Sequence, residues 1–584
     1  MMILFGIFQL IVHIGSTQGT SQNIRCELEV VEDLYTCTIV SADVFNENNS
    51  IQFLMTHLGG KNDEDVIAMR TSLSFSGKIQ IFHRQFLERF NNLQIIVLHN
   101  VDMISMAVNS FEKCNELVML DVHSNILETV PDRIFENCSK LKALILSSNN
   151  LKSISNESFV GLNNLEVLNL NSNKVAGFSQ NLIKNLITLK ELDLGNPKSN
   201  FTYESTVLQH LKNLSVINLD NWNLKFENIK ILIDKLTNLK KISIATNLLS
   251  DISFGFFNQF KVLEVLNMDN CSISSIPNNV LKEFPKIKEF SLRHNLFKSI
   301  IKKTFEKLGS LEVLKLGHNE IQDVDFKSFD IHFQLKELDL SNNNIKTLHA
   351  DVFKYQGNLQ KLDISSNGIE TLAGLFKALE KLEVVDYSNN LIKRLNSGNL
   401  AFLREFSASF NAIEEIQRNF FVGFPNLEKV KFEGNPCADV IIENIQQTNV
   451  TSIFSQCFDN FEGITTSTTP LPTTTSQTSL TDIISSTTAL ISTDNPPTNP
   501  ISTTISTTTL KKTTTVMTFT TTTSYFVPST PSSTQSTTLR TSLFSSTMRT
   551  TTGFSSTTKG TGSGNVLSMS IVLVIFGVVG NLVL

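Results

Sequence analysis

Three sets of side chains in this 584-residue chain could do chemistry. His99 and His123 lie 24 residues apart with Asp121 beside the second, and two imidazoles with a carboxylate could hold a metal or titrate near neutral pH. Asn169, Asn171, Asp193, Asn218, Asp220, Asn267 and Asp269 form an acidic, amide-rich set, and Lys288, Arg293, His294, Lys315 and His318 a basic one. Opposed charges of this kind steer and orient a protein partner; the plain alternative is that they keep a wall soluble. Trp222, the only tryptophan, is either an exposed anchor or a ring packed at a widened turn. The chain has no HExxH, no GxSxG nucleophile elbow, no phosphate loop and no Cys/His cluster of zinc spacing. The reading is therefore binding, with neither catalysis nor a cofactor.

What must position these residues is a repeat. LKALILSSNNL (141–151), LEVLNLNSNKV (165–175), LEVLKLGHNEI (311–321), LKELDLSNNNI (335–345) and LQKLDISSNGI (359–369) share the pattern LxxLxLxxNxL/I. Its first apolar position recurs about fifteen times between Leu93 and Leu427, at a spacing of 24 with small slips. In LxxLxL, alternate apolar residues face one side of a short strand. A single such strand cannot bury that side, but stacked copies can, as a parallel sheet on the inner wall of a curved solenoid. The Asn closing the pattern, at Asn149, Asn173, Asn247, Asn295, Asn319, Asn343, Asn367, Asn390 and Asn411, turns the chain and can satisfy backbone groups opened there. Eighteen residues after each start, Phe111, Phe135, Phe159, Phe257, Phe305, Phe329, Phe353 and Phe421 should fill the outer side of the core as a spine. The acidic, basic and histidine sets then fall on or beside the concave wall.

This pattern resembles that of extracellular leucine-rich-repeat proteins over most of residues 70–460. The resemblance implies an α/β solenoid, a horseshoe with a parallel β-sheet on its concave face and disulfide-closed caps. CELEVVEDLYTC, with Cys26 and Cys37 around a short strand-like segment, resembles the N-terminal cap. NPCADVIIENIQQTNVTSIFSQC, with Cys437 and Cys457, resembles the C-terminal cap, reduced from the family's four cysteines to two. Cys114 and Cys138 share one register in adjacent repeats, and coils stacked at roughly 5 Å bring them within disulfide reach. They either bond or sit as two buried thiols. Cys271 stands where the turn Asn is usual and is read as buried and unpaired.

Composition divides the rest. Residues 1–19, apolar from Ile3 to Ile14, read as a secretory signal peptide. Residues 20–92 make the N-terminal cap with a degenerate first repeat, 93–436 the repeats, and 437–462 the C-terminal cap. Residues 463–563 are dominated by Ser and Thr with scattered Pro, cannot bury a core, and read as a disordered, mucin-like stalk. Residues 564–584 form an apolar tail after a run of small residues, which makes a GPI-attachment signal with Ser563 or Gly562 as the attachment residue. The alternative is a transmembrane end with no cytoplasmic domain. Sequons at Asn48, Asn137, Asn156, Asn200, Asn213, Asn270 and Asn449 all precede the Thr-rich region and suit N-glycosylation.

A net charge of −6 without a basic block argues against nucleic acid as a partner. Array, stalk and lipid-type tail look most like the GPI-anchored adhesion members of the family, such as connectin and chaoptin. That resemblance implies a glycoprotein held on the outer face of the plasma membrane by a lipid anchor. It would recognise a protein ligand or cell-surface glycoprotein, itself included, through the horseshoe. Innate-immune recognition of the Toll type, as receptor or co-receptor, and a structural part in a cell coat are the alternatives.

Overall fold

A computed structural model describes residues 22–197, 201–277 and 286–463. The signal peptide, the stalk, the anchor signal with Ser563 and Gly562, and the sequon at Asn200 lie outside these residues.

The chain enters through a hairpin. β1 (Gln22–Val31) and β2 (Leu34–Val44) are antiparallel and turn at Glu32 and Asp33, both left-handed at φ 48° and 66°. The sequence suggests one short strand between Cys26 and Cys37. Instead the acidic pair folds that segment back on itself, and the disulfide joins the two arms with Cα atoms 5.3 Å apart. β3 (Ile51–Leu54) pairs in parallel with β1, and β4 (Ala68–Ile79) with β2. β4 then hands the sheet to the first repeat strand, Ile95–Val97.

From there fifteen parallel three-residue strands follow, one per repeat, ending at Lys429–Lys431. Register never slips between repeats: Leu168 lies opposite Leu192 and Leu314 opposite Leu338. The strand leucines therefore stack in rows, and Leu120, Leu144, Leu168, Leu314 and Leu338 are fully buried. Burying one such side chain contributes roughly 1.5–3 kcal/mol, and each row depends on its neighbours to be covered.

The Asn row holds the turns together. Asn319 donates its amide to the carbonyls of Leu316 in its own turn and Leu292 in the turn before, both at 3.0 Å, while its Oδ1 accepts the Phe297 N–H at 3.1 Å. The same pattern recurs at Asn149, Asn173, Asn247, Asn343, Asn367, Asn390 and Asn411, and also at Asn125 and Asn435. The residue before each Asn is left-handed, as at Ser148, Ser172 and Asn342 with φ of 51–56°. That conformation costs roughly 1–2 kcal/mol for a residue other than glycine, which the amide bonds offset.

On the outer side Phe111, Phe135, Phe159, Phe257, Phe305, Phe329 and Phe353 are buried, as the repeat register requires. Direct ring contacts link neighbours such as Phe82 with Phe111 at 4.5 Å, Phe111 with Phe135 at 5.2 Å and Phe329 with Phe353 at 5.8 Å. Elsewhere aliphatic residues such as Ile183, Leu208 and Leu232 fill the layer. Phe421 departs from the expected spine: it is only half-buried, because Phe420 and Phe424 occupy the core and Phe421 turns to the cap residue Phe454, 5.0 Å away.

Cys114 and Cys138 are disulfide-bonded with Cα atoms 4.8 Å apart, which ties two neighbouring coils. Cys437 bonds Cys457, and the helix Ser455–Glu462 buries Cys457 and Phe458 against the end of the array. Arg418 clamps that helix through Glu462 at 2.7 Å and Asp459 at 3.1 Å. Cys271 is buried and free.

Candidate functional site

Each strand shows its outward residues on one concave face, two and four places after the repeat start, and the residue six places after the start lies just beyond the strand. The acidic set does come together there. Asp193 Oδ1 accepts from the Asn171 side chain at 2.9 Å and the Gly195 N–H at 3.1 Å. Asp220 Oδ1 accepts from Ser243 and from the Ala245 N–H, both at 2.7 Å. Asp269 Oδ1 takes Ser291 at 2.6 Å and the Arg293 N–H at 2.8 Å, and Asn267 donates to Ser243 at 3.0 Å. Asn169 and Asn218 accept the N–H groups of Asn171 and Asp220 from the two rows. Burial pushes Asp193 above the usual carboxylate range and Asp220 up to about 6, with the charges of Asp193 and Asp269 adding to the rise at Asp220.

Small residues make this packing possible. A Cβ at Gly195 would lie 2.7 Å from the Asn171 amide and 3.0 Å from that of Asn218. One at Gly317 would lie 2.8 Å from both Asp339 carboxylate oxygens.

The basic set is not a patch of free cations. Arg293 reaches across the repeat that carries Gly317 and binds Asp339 Oδ2 through Nε at 2.6 Å and Nη2 at 2.5 Å. Lys315 pairs with Glu289 at 2.8 Å and Lys288 with Glu264 at 3.0 Å. His294 and His318 stack at the margin of the wall, with ring centroids 4.1 Å apart. Burial and the neighbouring His294 hold His318 below the ordinary imidazole range. The sequence shows the charge types but not these pairings, which neutralise the set internally.

His99 and His123 also stack, at 5.0 Å, and His123 Nδ1 meets Asp121 Oδ1 at 2.7 Å. That hydrogen bond raises His123, while burial and then His123 lower His99. Among the described residues no group of three or more His, Cys, Asp or Glu side chains is placed to hold a metal ion.

Trp222 is not an exposed anchor. It is 7% exposed, packs on Phe201 at 4.6 Å and Tyr203 at 5.5 Å, and donates its indole N–H to the Leu194 carbonyl at 2.8 Å. The indole thus takes the donor place of the missing Asn. Cys271 does the same weakly, with Sγ 3.4 Å from the Ile244 carbonyl.

Two features were not singled out from the sequence. Asp339, Asp363 and Asp386 stand in one row on successive strands, and Ser341, Ser365 and Ser388 donate backbone N–H groups to them at 2.8–2.9 Å. Their common register four places after each start was the available signal. The second is a groove of about 560 Å³ on the far side of the coil, lined by Ile301, Asp323, Phe326 and His349. The sequon residues Asn48, Asn137, Asn156, Asn213, Asn270 and Asn449 are all exposed, and none stands in the two wall rows. Among the described residues no helix is long and apolar enough to cross a membrane.

A leucine rich repeat family model matches residues 115–175, 237–297, 285–330 and 333–392. With the parallel-sheet solenoid of fifteen turns, these matches make the fold a leucine-rich-repeat solenoid. No curated protein sequence matches the chain. Among solved structures it is similar to a leucine-rich-repeat protein of Leptospira interrogans, at 22% identity and TM-score 0.46 over 68% of this chain and 89% of that one. It is also similar to a chain of the Toll–Spatzle complex of Drosophila, at 19% identity and TM-score 0.46, over 66% of this chain but only 57% of that one. A Listeria monocytogenes internalin is similar at 20% identity and TM-score 0.42 over 55% of this chain and 88% of that one.

Proposed function

We propose that this leucine-rich-repeat solenoid is the recognition module of a cell-surface glycoprotein and that its concave wall binds a protein partner. The observation that carries the reading is the wall itself: a continuous sheet face of fifteen strands on which Asp193, Asp220, Asp269 and Asp363 are half-buried and each held by hydrogen bonds. A surface serving solubility alone would gain nothing from ordering those side chains, because ordering costs rotamer entropy. Three disulfides suit an oxidising compartment, and sequons that avoid the wall rows leave it open to a protein. The lipid anchor belongs to the same proposal and rests on residues 560–584, whose small residues and apolar run suit GPI attachment. An adhesive role follows if the partner sits on another cell.

The test uses cells displaying the full chain, mixed with unlabelled cells of several types and with each other. Ser243→Asn with Ala245→Thr creates a sequon in the middle of the wall, and Lys302→Asn creates one on an exposed loop away from it. Recognition requires that the wall glycan abolish cell binding and the loop glycan leave it intact. Binding that survives an occupied wall glycan, or no binding to any cell type, sinks the proposal. Phosphatidylinositol-specific phospholipase should release the protein, and retention refutes the anchor.

A further inference from the structure

The charges on the wall are unevenly satisfied. Arg293, Lys315 and Lys431 are spent on Asp339, Glu289 and Glu405. Asp193, Asp220, Asp269, Asp363 and Asp386 make no ion pair among the described residues. In each, Oδ1 accepts from neutral donors, and among the described residues no donor reaches Oδ2.

Asp339 shows what those second oxygens can hold. It stands in the same row as Asp363 and Asp386, and its Oδ1 accepts the Ser341 N–H and hydroxyl just as Asp363 Oδ1 accepts those of Ser365. The difference is that Asp339 Oδ2 carries a guanidinium, that of Arg293. The free carboxylates fall in two groups to either side of this bridge. Asp269 and Asp363 are four strands apart, which at about 4.8 Å per strand is roughly 20 Å.

We infer that the partner bound on this wall presents two arginine clusters roughly 20 Å apart, one to Asp220 and Asp269 and the other to Asp363 and Asp386. The inference rests on the recognition reading above and adds the chemistry of the partner. Arginine is favoured over lysine because a fork of N–H donors can bind a carboxylate oxygen through two nitrogens, as Arg293 does. Charge-assisted hydrogen bonds of this kind are roughly twice as strong as neutral ones. A partly dry sheet face strengthens them further.

The probe is a helical peptide with two arginine pairs twelve residues apart, about 18 Å. It is compared by surface plasmon resonance on the full chain with a single-pair peptide, a lysine version and a glutamate version. The two-pair arginine peptide should bind at least tenfold tighter than the single-pair peptide and several-fold tighter than the lysine version, and should weaken as salt rises from 50 to 200 mM. The double variant Asp363→Asn/Asp386→Asn keeps the Oδ1 acceptors and should lose about tenfold, with a melting temperature no lower than that of the wild type as the folding control. Equal binding by variant and wild type, or by arginine and glutamate peptides, overturns the inference. On cells the two proposals separate. If the double variant still binds while the wall glycan blocks binding, the arginine chemistry is wrong and recognition stands. If the wall glycan leaves binding intact, recognition itself fails.

Discussion

Replacing Asn343 by Ala tests whether the amide row holds the coils together. Asn343 is 7% exposed; its Oδ1 accepts the Ile321 N–H, and its amide donates to the carbonyls of Leu316, Leu340 and Ser341, all at 3.0 Å. The damage is unequal. The Leu316 carbonyl keeps a second bond from Asn319 and the Leu340 carbonyl one from Asn367, but the buried Ile321 N–H is left with no acceptor. An orphaned buried N–H costs about 1–3 kcal/mol and each of the two lost bonds to a doubly bonded carbonyl about 0.5–1, for a total of about 2–5 kcal/mol. Asn343→Asp discriminates the mechanism. It retains the acceptor for Ile321 but sets a carboxylate oxygen against the carbonyls of Leu316 and Leu340, so at pH 7 it should cost more than Ala. At pH 4 a protonated carboxyl can donate, and part of the loss should return. Because a solenoid does not unfold in two states, the readout is amide hydrogen exchange in repeats 311–369 beside a urea melt. An Asp variant as stable as the Ala variant at pH 7 refutes the donor argument.

Four further outcomes are open to measurement. Asp220, held up at about 6 against an ordinary 3.8, opposes folding once ionised; the penalty grows as pH rises from about 4 to 6 and is constant above. Two units correspond to about 3 kcal/mol, which partial exposure reduces to about 1–2, so Asp220→Asn should raise the melting temperature at pH 7 and leave it unchanged at pH 4. Cys271→Asn places an amide where Sγ now sits 3.4 Å from the Ile244 carbonyl and should slow amide exchange in the coils it joins about fivefold, which corresponds to about 1 kcal/mol. Removing the Cys114–Cys138 bond with a double Ser variant frees a loop of 24 residues and should cost those coils about 3 kcal/mol, read as faster amide exchange there than in the wild type. Gly317→Ala drives Asp339 away from Arg293 and should cost about 1–3 kcal/mol, a loss that a double-mutant cycle with Arg293→Ala shows to be shared.

The period made much of this molecule readable, because translational symmetry turns a sequence interval of 24 into spatial adjacency. That is why the strand leucines, the Asn turns and the Cys114–Cys138 contact follow from register alone. Asn125 stands in the same register, in LVMLDVHSNIL, and belongs to the row for the same reason. Three things had no such signal. Which carboxylate Arg293 reaches depends on Gly317 leaving a gap in the intervening repeat, and no periodicity encodes a long side chain stepping over a neighbour. The hairpin at Glu32-Asp33 lacks the glycine that usually announces such a turn, so its two arms read as one segment. Trp222 marks an irregular turn, but only the Leu194 carbonyl shows that its indole substitutes for an amide.

The amide row is continuous from Asn125 to Asn173 and from Asn295 to Asn435, and between them it is interrupted at Pro197, Trp222 and Cys271. Under tension a solenoid opens coil by coil, and each coil resists with whatever bonds it shares with the next. The stretch from 197 to 271, fastened by an indole, a thiol and one amide, is therefore the weak link in the series. Pulled by its ends, the array parts there first and leaves two stiffer blocks, so a force–extension trace of this protein should show an early yield followed by two separate ruptures.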